Sequence, residues 1–243
     1  MATTVAATRR ARVHPDRYFF PAVCLLILVI VWLGFSKTYY AAGLIRAPLP
    51  APIIHVHAVV FTLWLLTLVT QTALVSARRV KLHMAVGLWG FGIAVIMPIV
   101  GVFAAINALR RDMSPPGSGL SALTFFVVPL SAILVFCILA GLAYKLRRRP
   151  DFHKRLIMFA TFVLLDAAFG RFPYTIGIGA SPLAQTLFVM ALPVLMVVYD
   201  LVSLHRIHRA TWMAFLLILV EQLVRIPLAQ TAPWQAFAKM VHG

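Results

Sequence analysis

Eight histidines and six acidic residues carry most of the potential chemistry of this 243-residue chain. Four of the histidines stand beside basic runs: His83 after Arg78-Arg79-Val80-Lys81-Leu82, His153 between Arg149-Pro150-Asp151-Phe152 and Lys154-Arg155, and His205 and His208 around Arg206-Ile207. One helical face leads from His83 through Gly87, Gly90, Ala94, Met97 and Gly101, and another from His153 through Ala160 and Ala167. Residues seven apart drift only about 20° around a helix, so each histidine heads a stripe of mostly small residues. Such stripes let helices approach closely and also leave room for a flat cofactor. Imidazole is a common haem ligand, which makes His83 and His153 candidate axial ligands of one haem b. A transition-metal variant uses His83, His153 and His205 or His208, with Asp200 as the carboxylate, a donor set that suits zinc or iron. Neither an HExxH motif nor a cysteine pair accompanies it. The alternative is that these histidines join Lys and Arg at headgroup level and bind nothing.

A second constellation lies inside apolar sequence. Asp166 and Glu221 are two of the six acids, and each falls within a hydrophobic run. A charge there costs at least ~2.5–3.5 kcal/mol unless it is paired or faces water. Arg225 follows Glu221 by four residues, the spacing of a helical ion pair, and Gln222 adds a further polar group. Arg171 is the expected partner of Asp166. His57 belongs here too, because it shares a stripe with Trp64, Gln71 and Arg78 at intervals of seven, expected to face other helices. The group reads either as a salt-bridge network between helices or as a proton path or polar cavity. His57, Asp166 and Glu221 together are a further, less favoured metal set.

The elements that position these residues follow from composition. Hydrophobic residues make up 62% of the chain and charged residues 12%, and the mean hydropathy is +0.95. A soluble domain is nearer 45–50% apolar, so lipid must cover part of the surface. Seven apolar runs stand out, at Phe19–Tyr39, Ile53–Val75, Leu82–Leu109, Leu120–Tyr144, Leu156–Phe172, Leu183–Leu204 and Thr211–Leu228. Each is long enough to cross a hydrocarbon core of ~30 Å, the fifth being the shortest. The expected fold is therefore all-α: a polytopic membrane protein with a seven-transmembrane-helix bundle. It forms one membrane domain, with a basic segment at 1–18, spans within 19–228 and an outer tail at 229–243.

Charge sets the orientation. With a cytoplasmic N-terminus, fifteen of the 22 Lys and Arg lie inside and seven outside, as the positive-inside rule requires. The formal charge of +16 therefore points to a bilayer with anionic headgroups rather than to nucleic acid. The expected location is the bacterial inner (cytoplasmic) membrane. Cys24 and Cys137 both fall in apolar runs and read as packed core residues. Pro98, Pro129, Pro193 and Pro227 fall inside spans, where they kink helices. The longest outer loop, Arg110–Gly119, contains Ser114-Pro115-Pro116-Gly117 and reads as a turn without a helix. The three basic loops, each with a histidine near the start of the next helix, suggest three related helical hairpins after the first span.

The stretch from His57 to Gly87 has the form H-x6-W-x6-Q-x6-R-x4-H-x3-G, and a later element reads Arg148-Arg149-Pro150-Asp151-Phe152-His153-Lys154-Arg155-Leu156. Over roughly residues 53–172 the chain resembles an uncharacterised family of bacterial multi-span membrane proteins, a resemblance that implies no activity. It is also distantly similar to transmembrane b-type cytochromes that carry electrons from ascorbate. Those place their cytoplasmic-side haem ligands on the second and fourth of four successive helices, the spacing of His83 and His153. His57 matches one outer ligand, but the span Leu120–Tyr144 has no histidine, so the resemblance implies one haem at most. Binding one haem or metal for electron transfer is the first functional expectation. A proton-coupled transporter or a membrane assembly factor using Asp166, Glu221 and Arg225 is the second.

Overall fold

The computed structural model describes residues 15–42, 51–114, 119–179 and 181–243, and among them every regular element is helical. Six helices are long and apolar enough to cross a membrane. In chain order the elements are α1 (Asp16–Phe35), a π-helical turn (Ser36–Tyr40), α2 (Pro52–Ser76), α3 (Val80–Arg110), α4 (Ala122–Phe125), α5 (Val127–Lys145), α6 (Pro150–Leu164), α7 (Asp166–Phe169), α8 (Phe172–Thr175), α9 (Pro182–Leu204), α10 (Arg209–Ala229) and α11 (Ala232–His242). The basic segment before residue 15 and the Pro115–Ser118 part of the long loop lie outside the described residues.

Local chemistry explains several starts. Pro occupies the first turn of α2 and α6, where its missing N–H would be unsatisfied anyway. Ser181 caps α9 by accepting from the Ala184 N–H at 3.2 Å. His208 caps α10, its Nδ1 accepting from the Ala210 N–H at 3.1 Å. The hairpins α2–α3, α5–α6 and α9–α10 pack as neighbours, with their turns at one end of the bundle. This basic end gathers Arg78, Arg79, Arg147, Arg148, Arg206 and Arg209. It also ties in the start of α1, because Asp16 accepts from Lys154 Nζ at 2.6 Å and from the Tyr199 hydroxyl at 2.5 Å.

The fifth expected span, Leu156–Phe172, is not one continuous helix. It breaks at Leu165, whose N–H turns to the Phe162 carbonyl at 3.1 Å, three residues back instead of four. Pro173 then sits in the first turn of α8 and cannot extend a longer helix. The intact part, α6, runs through the core: Leu156, Met158, Phe159, Ala160, Phe162 and Val163 are all buried. From Leu156 onward α6 is almost wholly apolar, and such a segment belongs inside a bundle. The long helices instead expose Leu25, Val29, Leu63, Val95, Leu134 and Val220 outward, an apolar girdle suited to lipid.

Two further features shape the opposite end. Gly34 lets α1 meet α7 backbone to backbone; a Cβ there would lie 2.6 Å from the Ala168 carbonyl oxygen. The expected tail at 229–243 is mostly helical. Its helix α11 packs on α3 and α4, with Ala238 buried and Trp234 Nε1 donating to the Leu123 carbonyl at 3.0 Å.

Candidate functional site

At the basic end, the four-residue metal set does not assemble. Asp200 is fully buried and already saturated. Arg155 reaches its Oδ1 through Nη2 at 2.5 Å and Nε at 3.0 Å, while its Oδ2 accepts from the Thr211 hydroxyl at 2.5 Å and the His208 N–H at 3.0 Å. His208 spends its Nδ1 on the α10 cap and sets its ring edge-on to Phe152. His205 is exposed at the end of α9, in the left-handed conformation (φ 54°). Among the described residues no group of three or more His, Cys, Asp or Glu is arranged to hold a metal ion. The same absence applies to His57, Asp166 and Glu221.

His83 and His153 do meet. Their ring centres are 6.4 Å apart and nearly perpendicular. His153 Nδ1 lies 3.0 Å from the Ala143 carbonyl, a bond it makes as donor when that nitrogen carries the proton. Gln71, reached by the stripe from His57, binds His83 instead. With its amide nitrogen toward the ring, Gln71 donates to His83 Nδ1 and to the His83 carbonyl (3.0 Å), while its oxygen accepts from the Gly87 N–H (3.1 Å). The small-residue stripe of α3 packs tightly against other helices at Gly90 and Gly101. A Cβ at Gly90 would lie 2.9 Å from the Thr67 methyl of α2, and one at Gly101 would lie 2.9 Å from Ile133 of α5. On α6, Ala160 is buried in the core.

At the opposite end the intramembrane charges converge, with one exchange of partners. Arg225, not Arg171, pairs with Asp166: its Nη1 donates to Asp166 Oδ2 and, at 3.3 Å, to Glu221 Oε1. Glu221 also accepts from the Ser131 hydroxyl at 2.5 Å and from Gln222 Nε2 at 2.9 Å. One guanidinium thus holds two carboxylates from α7 and α10, and Ser131 ties in α5. The network is incomplete, because Gln222 Oε1 and Arg225 Nε are buried with no hydrogen-bond partner. Arg171, left without a carboxylate among the described residues, donates to the Ala167 carbonyl of its own segment at 2.5 Å and lies over the Phe35 ring at 4.4 Å.

These groups border a cavity with two lobes. The smaller, about 340 Å3, is walled by Asp166, Gln222 and Arg225. The larger, about 550 Å3, runs past Trp64 and Thr161 to the π-helical turn, with Lys37 and Arg111 also in its lining. His57, Arg171, Phe35 and Phe61 line both lobes and mark their junction. His57 is stacked on Phe61 with ring centres 4.0 Å apart. Thr38 Oγ1 and Asn107 Oδ1, both in the larger lobe, are buried and unpartnered. Both volumes fall within the ~300–1,000 Å3 usual for small-molecule sites.

His57, Asp166, Arg171, Glu221 and Arg225, all expected from the sequence, thus share one region, with Glu221 behind the wall that Asp166 and Arg225 form. Ser131, Thr38 and Asn107 were not expected there. A polar residue such as Asn107 inside an apolar run was an available signal. The partnership of Ser131 with Glu221 joins helices ninety residues apart and has no local signature. Pro129, expected inside a span, stands in the first turn of α5 and lines the cavity. No protein-family model matches the chain, and neither a curated protein nor a solved structure gives a match.

Proposed function

We propose that this chain is a proton-coupled membrane carrier that takes a small molecule into the cavity bordered by His57, Asp166, Arg171 and Arg225. In this reading the basic end lies in the cytoplasm, as the clustering of Lys and Arg in its turns favours. The chain then crosses the membrane seven times, with α6 to α8 forming a broken fifth crossing in the bacterial inner membrane. The cavity opens toward the outer side. Broken helices are tolerated at membrane depth where they line a cavity and stay buried in protein, and Asp166, Ala168 and Phe169 of α7 are buried in this way.

The observation that carries the proposal is the incomplete ion network in the cavity wall. A buried polar atom without a partner costs about 1–3 kcal/mol, and Gln222 Oε1 and Arg225 Nε are two such atoms on side chains that line the smaller lobe. A purely structural salt bridge has no use for them; once these side chains turn toward the lobe, a ligand or its water supplies the missing bonds. Two carboxylates on one guanidinium also leave one negative charge in excess, which a single proton on Glu221 removes. Vesicles containing the purified protein and an internal pH-sensitive dye test this reading. Imposed gradients of a panel of organic anions, cations and neutral solutes are expected to move protons for at least one class, and Glu221→Gln is expected to abolish that movement. Proton movement unchanged in Glu221→Gln, or absent for the whole panel, would sink it.

A second reading rests on His83 and His153. His83 and His153, with ring centres 6.4 Å apart, would be the residues to hold a haem or metal ion, each giving one imidazole nitrogen at about 2 Å from the metal. Hydrogen bonding of the other ring nitrogen to a carbonyl, as His153 makes to Ala143, is also typical of ligating histidine. One haem or metal ion held there would serve electron transfer, and would require the Gln71 amide turned so that its oxygen accepts from His83 Nδ1–H, freeing Nε2 to ligate. An absorbance spectrum of protein expressed with haem available, together with elemental analysis, tests it: neither a Soret band nor bound metal would dismiss it.

A further inference from the structure

We infer that the molecule taken up by this cavity is a small organic anion with an apolar body, bound to Arg171 and accompanied by one proton that settles on Glu221. The inference rests on the carrier reading and names its substrate class.

The sign of the ligand follows from charge placement. Both acids at the cavity, Asp166 and Glu221, are engaged by Arg225. Arg171 stands at the junction of the two lobes with no carboxylate partner among the described residues, held only by a carbonyl of its own segment and by the face of Phe35. Its remaining guanidinium N–H groups need acceptors, and a carboxylate offers paired oxygens that match that fork. Lys37 and Arg111, exposed in the larger lobe, add the same sign of charge along the approach, which favours entry of anions. The apolar body follows from Phe35, Phe61, Trp64 and Ile54, which give most of the lining its character. The ligand therefore combines one anionic end with an apolar remainder.

The proton follows from charge counting. With Lys37 and Arg111 exposed on the approach, the buried charges to be counted are Asp166, Glu221, Arg225 and Arg171, and in the empty site Arg171 balances the excess negative charge. When an anion occupies Arg171, that balance is lost and the carboxylate pair carries one uncompensated charge in a low-dielectric wall. Taking up a proton restores neutrality without breaking the Asp166–Arg225 pair. Glu221 is the acceptor because Ser131 and Gln222 can hold its protonated form, while Asp166 keeps the guanidinium. Facing Glu221 are Ser131 from α5, Asp166 from α7, and Gln222 and Arg225 from its own helix. The acid and base forms differ by one proton, so anion and proton bind with mutual linkage.

The test uses the full chain in lipid nanodiscs, with hexanoate, hexanamide and hexylammonium as probes in calorimetric titrations. Hexanoate is expected to bind at least about tenfold more tightly than either analogue, the worth of a charge-assisted hydrogen bond. Its affinity should rise as the pH falls from 8 to 6, by up to about tenfold per pH unit for one coupled proton. Arg171→Gln should bind hexanoate at least about tenfold more weakly while leaving hexanamide unchanged. Glu221→Gln should bind hexanoate with no pH dependence. Wild-type protein that binds the ammonium or the amide as well as hexanoate overturns the inference without needing any variant to fold. So does an Arg171→Gln protein with undiminished hexanoate affinity, or a pH dependence that survives Glu221→Gln.

Two arms separate the sources of such an anion. If hexanoate binds equally in zwitterionic and anionic nanodiscs, the site takes a free solute; if anionic lipid competes, a bilayer headgroup occupies the same guanidinium. Either result supports an anion site. The carrier reading fails separately, when hexanoate binds but no solute gradient moves protons in vesicles. The present inference fails alone when cations or neutral solutes drive that movement and hexanoate does not bind.

Discussion

Two buried arginine–aspartate pairs sit at opposite ends of the bundle, and they are built differently. At the basic end, Arg155 and Asp200 are both nearly inaccessible, at 1% and 0% exposed. Asp200 has four donors from three residues, and Arg155 Nη1 adds a bond to the Asp151 carbonyl at 3.1 Å. This pair pins α6, α9 and the start of α10 together. At the cavity end, Arg225 serves two carboxylates and still has an unpartnered Nε, and Gln222 beside it has an unpartnered oxygen. The first pair is complete without any ligand. The second borders open space and lacks partners. Burial of an ion pair by itself is weak evidence for either stability or function; what separates these two is whether the surrounding groups are satisfied.

The largest expected effect comes from breaking the complete pair. Asp200→Ala leaves Arg155 uncompensated in the core and should cost about 3–5 kcal/mol. Asp166→Ala leaves Arg225 with Glu221 and should cost less, about 1.5–3 kcal/mol for one charged hydrogen bond. Thermal unfolding of both variants in detergent ranks them; equal losses would remove the distinction between the two pairs.

Next in size is the helix contact that walls the cavity. Gly34→Ala places a methyl group against the Ala168 backbone and should destabilise by about 1–3 kcal/mol as overpacking. Because Ala168 lies in α7 and lines the larger lobe, the substitution should also weaken ligand binding, whereas Asp200→Ala that remains folded should not. Binding titrations on the folded fraction would show whether the ends are independent.

The smallest effect concerns the cap between the complete pair and α10. His208 is held below its ordinary value of 6.5, first by burial and then by the nearby Arg155 charge. A group with a depressed basic pKa binds more protons unfolded than folded. Its contribution is therefore present above pH 6.5 and is lost as pH falls below it. Protonation also removes the Nδ1 lone pair that caps α10. His208→Asn keeps a capping oxygen that does not titrate, so its stability should decline less than wild type between pH 7 and 5. His208→Ala should lose about 1 kcal/mol near pH 7. Parallel declines in the His208→Asn variant and the wild type would show that the cap does not carry the pH response.

Much of the architecture is legible in the residues, for reasons that are local. Six of the seven apolar runs become long helices because backbone groups in lipid must pair within their own segment. The basic runs become the turns of neighbouring hairpins. The fifth run is the hardest to read because hydrophobicity alone does not separate a lipid-facing span from a core helix. The clues to its break are Asp166, Arg171 and Pro173, which suit a cavity wall better than a continuous span. The small-residue stripe below His83 makes close contacts with Gln71 and Thr67 of α2 and with Ile133 of α5, partners that have no local signature. The candidate site is legible as a set of charged residues and not as a geometry.

The amino-acid order by itself determines that this chain is helical, that it is made for lipid, and that it carries two polar constellations that a bilayer would otherwise reject. Those properties depend on composition and on spacing along one helix. Tertiary structure decides the rest: that Asp166 takes Arg225 and leaves Arg171 without a carboxylate among the described residues, that Asp200 is committed to Arg155, and that His57 and Arg171 meet at one cavity. Partner choice among buried charges is a competition between groups far apart in sequence. The low dielectric around them makes each pairing strong, and only the packing of the helices determines which groups are close enough to pair.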